Sequence, residues 1–367
     1  MKLSCLQEKL NEGLNIVGRI VSPRGTLPVL NNILFKTDFG RLKLSATDLE
    51  IGINTWIGAK VDKEGVITIP SRLITEYIST NNDETIDMEL KDTTLTLQST
   101  RYKANIKGIE ASEFPSIPEI KKDNIFEITS SVLKNAVVQV VFACAIDETR
   151  PVLTGVILKI KDNKLKLAAT DSYRLAEKTI NLEKKSDAEV NVIIPQRTMN
   201  ELARILKENE EKVEVKIGDN QISFSFGDTQ LISRLIEGNF PDYEQIIPQK
   251  SSLKITVNKD ELTNIMKMAS FFARESANNI KLKTSGKNQL KVAAVSPQVG
   301  DNISTIQAEI DGSEIEISFN AKFILDALGV IKEEKVTLHF NDKTSPGIIK
   351  PIKNNNYQYI IMPLRVE

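Results

Sequence analysis

Hydrophobic and polar positions alternate along two neighbouring segments in the middle of the chain, residues 155–160 and 164–169. An alternation with a period of two is typical of strands that expose one face to water. The Asp-Asn pair at 162–163 predicts a tight turn between them. Ahead of this hairpin, the largely apolar segment 132–145 predicts a helix, with Ser131 as its N-cap.

The same succession of a helix and strands is predicted again immediately downstream. The further segments are a strand near 176–180, a strand at 192–194, a helix at 197–207, and a hairpin formed by 213–217 and 222–226. The pattern therefore predicts an α+β fold in which each domain has two helices packed on antiparallel sheets. We expect roughly eight strands in such a domain.

One short motif occurs three times along the chain. It is Leu-Lys-Leu-Ser-Ala-Thr-Asp at 42–48, Leu-Lys-Leu-Ala-Ala-Thr-Asp at 165–171 and, more loosely, Leu-Lys-Val-Ala-Ala-Val-Ser at 290–296. Other landmarks recur in the same order, namely Pro28 and Pro151, then Arg72, Arg197 and Lys322, then Phe114 and Phe240. The period is the size of an ordinary domain and far exceeds that of a solenoid repeat. Three tandem homologous domains are predicted, at 1–122, 123–248 and 249–367.

Helix start signals occur at matching places in the other two repeats. Ser4 with Gln7, and Asn258 with Glu261, have the spacing of a capping box. Asn320 is a predicted N-cap of a helix that Gly329 closes. We therefore expect two helices in each of three domains.

Composition gives no global sign of a charged partner. The chain has 48 Lys and Arg against 49 Asp and Glu, a formal charge of −1. The longest nearly apolar run, 136–146, is shorter than the ~20 residues that a spanning helix needs. Polar residues interrupt the first positions before a signal-peptide core develops, so a cytoplasmic protein without a membrane partner is expected.

Residues that could support catalysis or metal binding are sparse. Cys5 and Cys144 have no metal-ligand spacing and are expected to be buried, reduced thiols, and the single histidine, His339, lies in a predicted strand. No phosphate-binding glycine motif or His-Glu-x-x-His motif occurs in the sequence. Asp48 and Asp171 could suggest acid/base chemistry, but whole domains separate them, and a structural turn role is expected. Neither catalysis nor a metal or cofactor is predicted.

Four longer motifs carry a resemblance to a known family. They are Thr47–Glu50, Ala169–Ala176, Glu237–Tyr243 and Tyr359–Arg365. Together they resemble the bacterial replicative sliding clamp, the beta subunit of DNA polymerase III. The resemblance spans the whole chain in order and implies three DNA-clamp domains, a ring-shaped head-to-tail homodimer around duplex DNA, and a non-catalytic processivity function.

The resemblance also implies helices that face DNA and contact phosphates without reading bases. The candidate DNA-binding residues are Arg24, Arg72, Lys134, Arg150, Arg197, Lys207, Lys267 and Lys322. Of these, Arg72, Arg197 and Lys322 recur at one predicted helix start per domain. The alternative is that they are ordinary cations of surface helices.

A partner-peptide cleft between the second and third domains is implied as well. Its residues are expected to be Leu153, Thr170, Ser172, Tyr173, Arg174, Leu175, Pro241, Gln245, Ile246, Ile360, Met362, Pro363, Leu364 and Arg365. The apolar members would hold hydrophobic anchors, and Arg174 and Arg365 would pair with polar groups of the peptide. Ordinary interdomain core is the alternative for Leu175 and Ile360.

The implied dimer interface joins the third domain of one copy to the first domain of the other. Its candidate residues are Arg72, Arg101, Lys103, Ile106, Phe271 and Phe272. An intradomain corner is the alternative for the two phenylalanines. The implied partners are a second copy, double-stranded DNA of any sequence, the DNA polymerase III catalytic subunit, the clamp loader and other proteins with a clamp-binding motif.

Two other functional classes fit the repeats less well. A tandem β-rich adhesion or scaffold array would be secreted, and the absence of a signal-peptide pattern and the helix content argue against it. A nucleotide-processing enzyme would require a catalytic motif, and none is present in the sequence.

Overall fold

The computed structural model describes residues 1–21, 27–120, 126–183, 189–286 and 288–364. Within these ranges the chain forms the six predicted α-helices. They are α1 Gln7–Val17, α2 Ser71–Thr80, α3 Ser130–Val140, α4 Gln196–Ile205, α5 Lys259–Ala273 and α6 Ala321–Val330.

Backbone contacts divide the chain into two compact units. The first contains residues 1–134 and 200–235, and the second contains 135–199 and 236–367. The division passes through α3 and α4, which belong to the second sequence repeat. The boundaries 1–122, 123–248 and 249–367 remain predictions of the sequence.

The first unit contains two antiparallel sheets. In spatial order, the five-stranded sheet is β5 Lys60–Lys63, β1 Lys2–Leu6, β7 Thr85–Lys91, β8 Thr94–Gln98 and β9 Lys103–Lys107. The eight-stranded sheet is β10 Phe126–Thr129, β15 Lys212–Ile217, β16 Gln221–Phe226, β17 Thr229–Arg234, β4 Ile51–Gly58, β3 Arg41–Thr47, β2 Asn32–Asp38 and β6 Val66–Pro70. The pairing of β4 with β17 joins strands of the first and second repeats, with Ile53 opposite Leu231.

Helix α1 packs its apolar face on strands β3 and β4 of the larger sheet. The buried positions are Leu10, Gly13, Leu14 and Val17. Their spacing of three and four residues forms one helical stripe, because an α-helix turns once every 3.6 residues. The polar residues of α1 therefore remain on its other face.

The second unit contains one antiparallel sheet of twelve strands. In spatial order these are β14 Val190–Pro195, β11 Gly155–Lys161, β12 Lys164–Thr170, β13 Arg174–Asn181, β25 Tyr357–Ile361, β24 Gly347–Pro351, β23 Lys335–Phe340, β18 Leu253–Asn258, β21 Gly300–Gly312, β20 Gln289–Ser296, β19 Asn279–Ser285 and β22 Glu316–Asn320. The pairing of β13 with β25 joins the second and third repeats, with Ala176 opposite Tyr359. The predicted hairpin at 155–169 is confirmed, and Asp162 and Asn163 form its turn with φ of 49° and 61°.

Several predicted helix ends differ from the structure, including that of the helix predicted at 197–207, which is observed at Gln196–Ile205. The helix predicted at 132–145 begins at Ser130 and ends at Val140, where φ of −121° leaves the α region, and a 3₁₀ turn follows. The Ser4 cap is wrong, because Ser4 lies in β1 and the backbone carbonyl of Glu84 accepts from the amide of Gln7 instead. Gly329 does not close α6, which continues to Val330.

Other local predictions are confirmed. The side chain of Asn258 accepts hydrogen bonds from two amides of α5, and that of Asn320 accepts one from α6. Cys5 and Cys144 are buried free thiols, and burial raises the pKa of each to about 12. His339 is half-buried on β23. Among the described residues, no helix combines the length and the apolar character needed to cross a membrane.

The first unit offers a direct test of its strand packing. A Cβ added at Gly108 would lie 2.3 Å from the backbone oxygen of Thr68, whereas one added at Gly58 would meet nothing within 4 Å. We expect Gly108→Ala to lower the free energy of unfolding by about 2 kcal/mol or more, because it breaks the bridge between Thr68 and Ile109. The matched variant Gly58→Ala should stay within about 0.5 kcal/mol.

Urea unfolding followed by the fluorescence of Trp56, the single tryptophan, reports on this unit. Equal midpoints for the two glycine variants would contradict the packing described here.

Candidate protein-binding cleft and nucleic-acid interface

The turn between β12 and β13 is built around Asp171. Its Oδ1 accepts hydrogen bonds from the amides of Tyr173 and Arg174, at 2.9 and 3.0 Å. Ser172 takes a φ of 76°, and its amide donates to Thr170 Oγ1. This geometry leaves Tyr173 66% exposed. Asp171 is therefore a turn residue, as predicted.

Asp48 forms the equivalent turn in the first repeat. Its Oδ1 accepts from the amides of Glu50 and Ile51, and Leu49 has a φ of 80°. The two aspartates thus have the same structural role in their own repeats, which agrees with the sequence prediction.

Arg174 follows this turn and is only 9% exposed. Its Nε donates to Asp171 at 3.0 Å, its Nη1 donates to Asp326, and its Nη2 donates to the carbonyl of Phe142 at 3.1 Å. The guanidinium also lies over the ring of Phe323, 4.4 Å from the centroid. Arg174 therefore anchors the start of β13 to α6 and to the segment after α3.

A buried apolar cluster lies on the inner side of the predicted cleft. It consists of Ile157, Ala168, Leu175, Ile193, Tyr243, Ile348 and Ile360, with Val152, Ile236, Phe240 and Ile247 packed against it. Leu175 and Ile360 are 0% and 1% exposed, so they form a floor and are not surface contacts. Tyr243 Oη donates to Glu177 at 2.8 Å, and burial together with this carboxylate raises the pKa of Tyr243.

An exposed apolar rim lies above this floor. Tyr173, Ile246 and Met362 are 66%, 43% and 37% exposed. The amide of Met362 donates to the carbonyl of Tyr173 at 2.9 Å, which fixes the chain after β25 beside the β12–β13 turn. The next part of this chain is fixed by the amide of Leu364, which donates to the carbonyl of Ser318.

The remaining predicted cleft residues have diverse environments. Pro241 and Gln245 are exposed, Pro363 and Leu364 are half-buried, and Leu153 and Thr170 are buried. The side chain of Gln245 donates to Asp242 at 2.7 Å. Arg365 lies outside the described residues.

A cavity of about 460 Å³ adjoins the rim. Its lining includes Leu153, Ser172, Tyr173 and Arg174 from the predicted cleft, and also Arg150 and Lys322 from the predicted DNA-binding set. Arg150 Nη1 donates to Ser172 Oγ at 2.6 Å. The structure thus brings two residues predicted for DNA next to residues predicted for the peptide.

Several residues that shape this site were not identified from the sequence. Phe142, Phe323 and Asp326 hold Arg174, but none stands in a recognisable motif. Phe240 and Tyr243 pack in or against the floor, and both stood within the quoted motif at 237–243, which could have located them.

Three predicted DNA-binding cations occupy the same position on three helices. Arg72, Arg197 and Lys322 are the second residues of α2, α4 and α6, and all three are exposed. The positive end of the helix dipole disfavours a cation at that position. All three helices nevertheless have a cation at this disfavoured position. This is the arrangement expected if the three side chains bind a negatively charged partner.

The other predicted cations have varied surroundings. Lys134 lies on α3 at 3.6 Å from Glu208, Lys207 follows α4 at 2.7 Å from Glu12, and Lys267 is exposed on α5. Hydrogen bonds from Lys207 and then from Lys9 lower the pKa of Glu12. Arg24 lies outside the described residues.

The predicted interface residues divide between exposed and buried positions. Phe271 is 55% exposed and Phe272 is half-buried, so the two do not share one core. Arg101 and Lys103 are exposed, whereas Ile106 is only 4% exposed within its own unit. Arg72 is exposed at the start of α2 and pairs with Glu76 at 2.8 Å.

Metal binding finds no support in the part of the chain that the structure describes. No group of three or more His, Cys, Asp or Glu side chains there is placed to hold an ion.

Comparison with known proteins gives a consistent result along the chain. The N-terminal, central and C-terminal domain profiles of the DNA polymerase III beta subunit match residues 1–118, 127–242 and 244–365. The Beta sliding clamp of Bacillus subtilis is 32% identical, with all of both chains covered. That of Staphylococcus epidermidis is also 32% identical, over 96% of each chain.

Solved structures agree with this assignment. The DNA polymerase sliding clamp from Bacillus subtilis superposes with a TM-score of 0.96 at 31% identity, and the DNA polymerase III subunit beta from Pseudomonas aeruginosa with 0.95 at 28%. Both comparisons cover all of both chains. The chain therefore has three tandem clamp domains and belongs to the DNA polymerase III beta subunit family, the sliding clamps.

Proposed function

We propose that two copies of this chain close head to tail into a ring around duplex DNA, and that the ring tethers the replicative polymerase and other DNA-processing proteins. The protein itself catalyses no reaction in this proposal and acts as a processivity factor. A closed ring has to be opened to reach DNA, so a clamp loader is a further partner. Cytoplasmic replication is the setting.

The proposal rests on one observation. Within the described ranges, two of three equivalent strands pair with a strand of another repeat, and the third does not. β4, β13 and the first half of β21 each follow one copy of the repeated motif. β4 pairs with β17 and β13 with β25, the last strands of the second and third repeats. Residues 300–307 of β21 pair only with β20 among the described residues. In the part of the chain that the structure describes, β9, the last strand of the first repeat, lies at the edge of its sheet with β8 as its single neighbour.

These two open edges are suited to each other. Within the chain, β4 pairs with β17 and β13 pairs with β25. If β21 of one copy pairs in the same way with β9 of another copy, every repeat is joined to the next by the same type of strand pairing. A heterologous contact of this kind forms a ring when its rotation closes, and two chains supply six repeats. Paired edges also remove exposed strand hydrogen-bonding groups.

Side chains at equivalent positions of the three repeats support this contact between β21 of one copy and β9 of another, which we call the seam. The position compared is the same one on each strand that follows a copy of the repeated motif. In the first repeat it is Asn54, which is buried opposite Gln230, and in the second it is Glu177, which is buried opposite Gln358. In the third repeat it is Ile303, which is 68% exposed. Val295 and Val299, 64% and 55% exposed, belong to the same β20–β21 hairpin. An apolar edge of this kind indicates an interface.

The candidate seam residues from the sequence flank these edges in the proposal. Arg101 and Lys103 lie just before and at the start of β9, and Phe271 and Phe272 lie at the end of α5. Ile106 would contribute backbone groups only, because its side chain is buried in its own unit.

Peptide recognition is proposed at the rim formed by Tyr173, Ile246 and Met362. These exposed apolar groups stand on a floor that is already packed, so a peptide would bury them without reorganising the unit. Arg174 would hold the rim in place, since its hydrogen bonds are made within the chain.

The seam can be tested with Ile303→Asp. A carboxylate buried at the interface without a partner should raise the dimer dissociation constant by about a hundredfold or more, measured by analytical ultracentrifugation. Ile146→Asp, at a loop residue that is 90% exposed, is the matched control and should leave the dimer intact. A dimer that survives Ile303→Asp unchanged would refute this seam.

The cleft can be tested with Tyr173→Ala and Met362→Ala. Each should weaken a fluorescent peptide from the replicative polymerase about tenfold, because each removes apolar surface that the peptide buries. Primer-extension products made with the polymerase and loader should shorten in parallel. Ile352→Ala, at a residue 42% exposed elsewhere in the unit, should behave like the wild type. Unchanged peptide affinity in both rim variants would exclude this cleft.

The role of Arg174 can be tested with Arg174→Gln. The change leaves Asp171 and Asp326 without their shared cation and should cost about 3 kcal/mol of stability, measured by chemical unfolding of the second unit. Arg150→Gln removes an exposed arginine from the same cavity and should cost no more than about 0.5 kcal/mol. If Arg174→Gln is as stable as Arg150→Gln, then Arg174 does not anchor the turn.

A further inference from the structure

The six helices that would face DNA carry almost no net charge. In the described residues they contain eight Lys and Arg against seven Asp and Glu. Duplex DNA has one negative charge per ~1.7 Å of its axis. A surface made for tight phosphate binding would have a clear positive excess, so the near-balance needs an explanation.

Two of these seven carboxylates, and a third that lies just after α4, pair with candidate DNA-binding cations in the first unit. Glu76 pairs with Arg72 along α2 at 2.8 Å, and Glu12 of α1 pairs with Lys207 at 2.7 Å. Glu208 pairs with Lys134 of α3 at 3.6 Å. Each partner is a candidate DNA-binding cation, so at least three of the candidates that the structure describes lie beside a negative charge.

These carboxylates are themselves accessible to solvent next to their cations. The side chains of Glu12, Glu76 and Glu208 are 39%, 65% and 63% exposed. A phosphate that approaches Arg72 or Lys207 must therefore share the cation with a carboxylate or displace it. Either event reduces the gain from counterion release.

Stability alone does not explain the three pairs. Exposed ion pairs contribute little to folding, because water and salt screen them and long side chains lose entropy.

We propose that Glu12, Glu76 and Glu208 attenuate the DNA contact of this chain by competing with phosphates for Arg72, Lys134 and Lys207. The inference rests on the proposed ring function and deepens it. Weak, shared phosphate contacts let the ring move along the duplex, whereas unshielded cations would retard it.

The test compares two triple variants of equal charge. Glu12→Gln, Glu76→Gln and Glu208→Gln are combined in one chain, and Glu64→Gln, Glu110→Gln and Glu113→Gln, all exposed outside the six helices, are combined in another. Binding to a short linear duplex is measured by fluorescence anisotropy at several salt concentrations. Thermal unfolding verifies that both variants are folded.

The first variant should bind about tenfold more tightly than the wild type at 0.1 M salt. The slope of log affinity against log salt concentration should become more negative by about one to three. The reason is that one to three cations become free to contact phosphates. The second variant should change much less. Equal changes in both variants, or an unchanged salt slope in the first, would overturn the proposal.

Primer extension with the wild type and a clamp loader separates this test from that of the ring. Long products with an unchanged salt slope in the first variant would refute the attenuation alone. Failure of the wild type to lengthen products would count against the ring itself.

Discussion

Strand pairing between successive repeats is the interaction on which the rest of the structure depends. Where β13 pairs with β25, the turn before one strand presents Tyr173 and the chain after the other presents Met362. The candidate cleft is thus a product of the join itself. The first join, of β4 with β17, has the same turn but a different surface. An ion pair of Glu50 and Arg234 lines its groove, and Ile117 packs against Gly52.

Local sequence patterns were sufficient for the repeats, the hairpins and the six helices, because alternation, turn residues and caps act over a few positions. These patterns failed where a residue distant in sequence makes the hydrogen bond that a local side chain was predicted to make. The amide of Gln7 donates to the carbonyl of Glu84 and not to the side chain of Ser4. The family motifs contain two of the exposed rim residues of the candidate cleft, Tyr173 and Met362. They did not indicate that Arg174 is buried against Asp326, a residue 152 positions away.

Local sequence patterns do not predict ion pairs such as that of Glu12 with Lys207 either, because the two residues are 195 positions apart. A cation chosen for its place on a helix therefore gives no indication of how much of its charge is available to DNA. A formal charge of −1 and nearly neutral helices agree with the proposal that the duplex is held mainly by closure of the ring.

Retention on plasmid DNA tests that claim most directly. The protein is loaded onto a nicked circular plasmid with a clamp loader, and its retention in moderate salt is measured before and after one restriction cut. Retention on the circle with release after linearisation is the predicted result, because a ring slides off free ends. Equal retention on both forms would show ordinary affinity for DNA and would contradict the account.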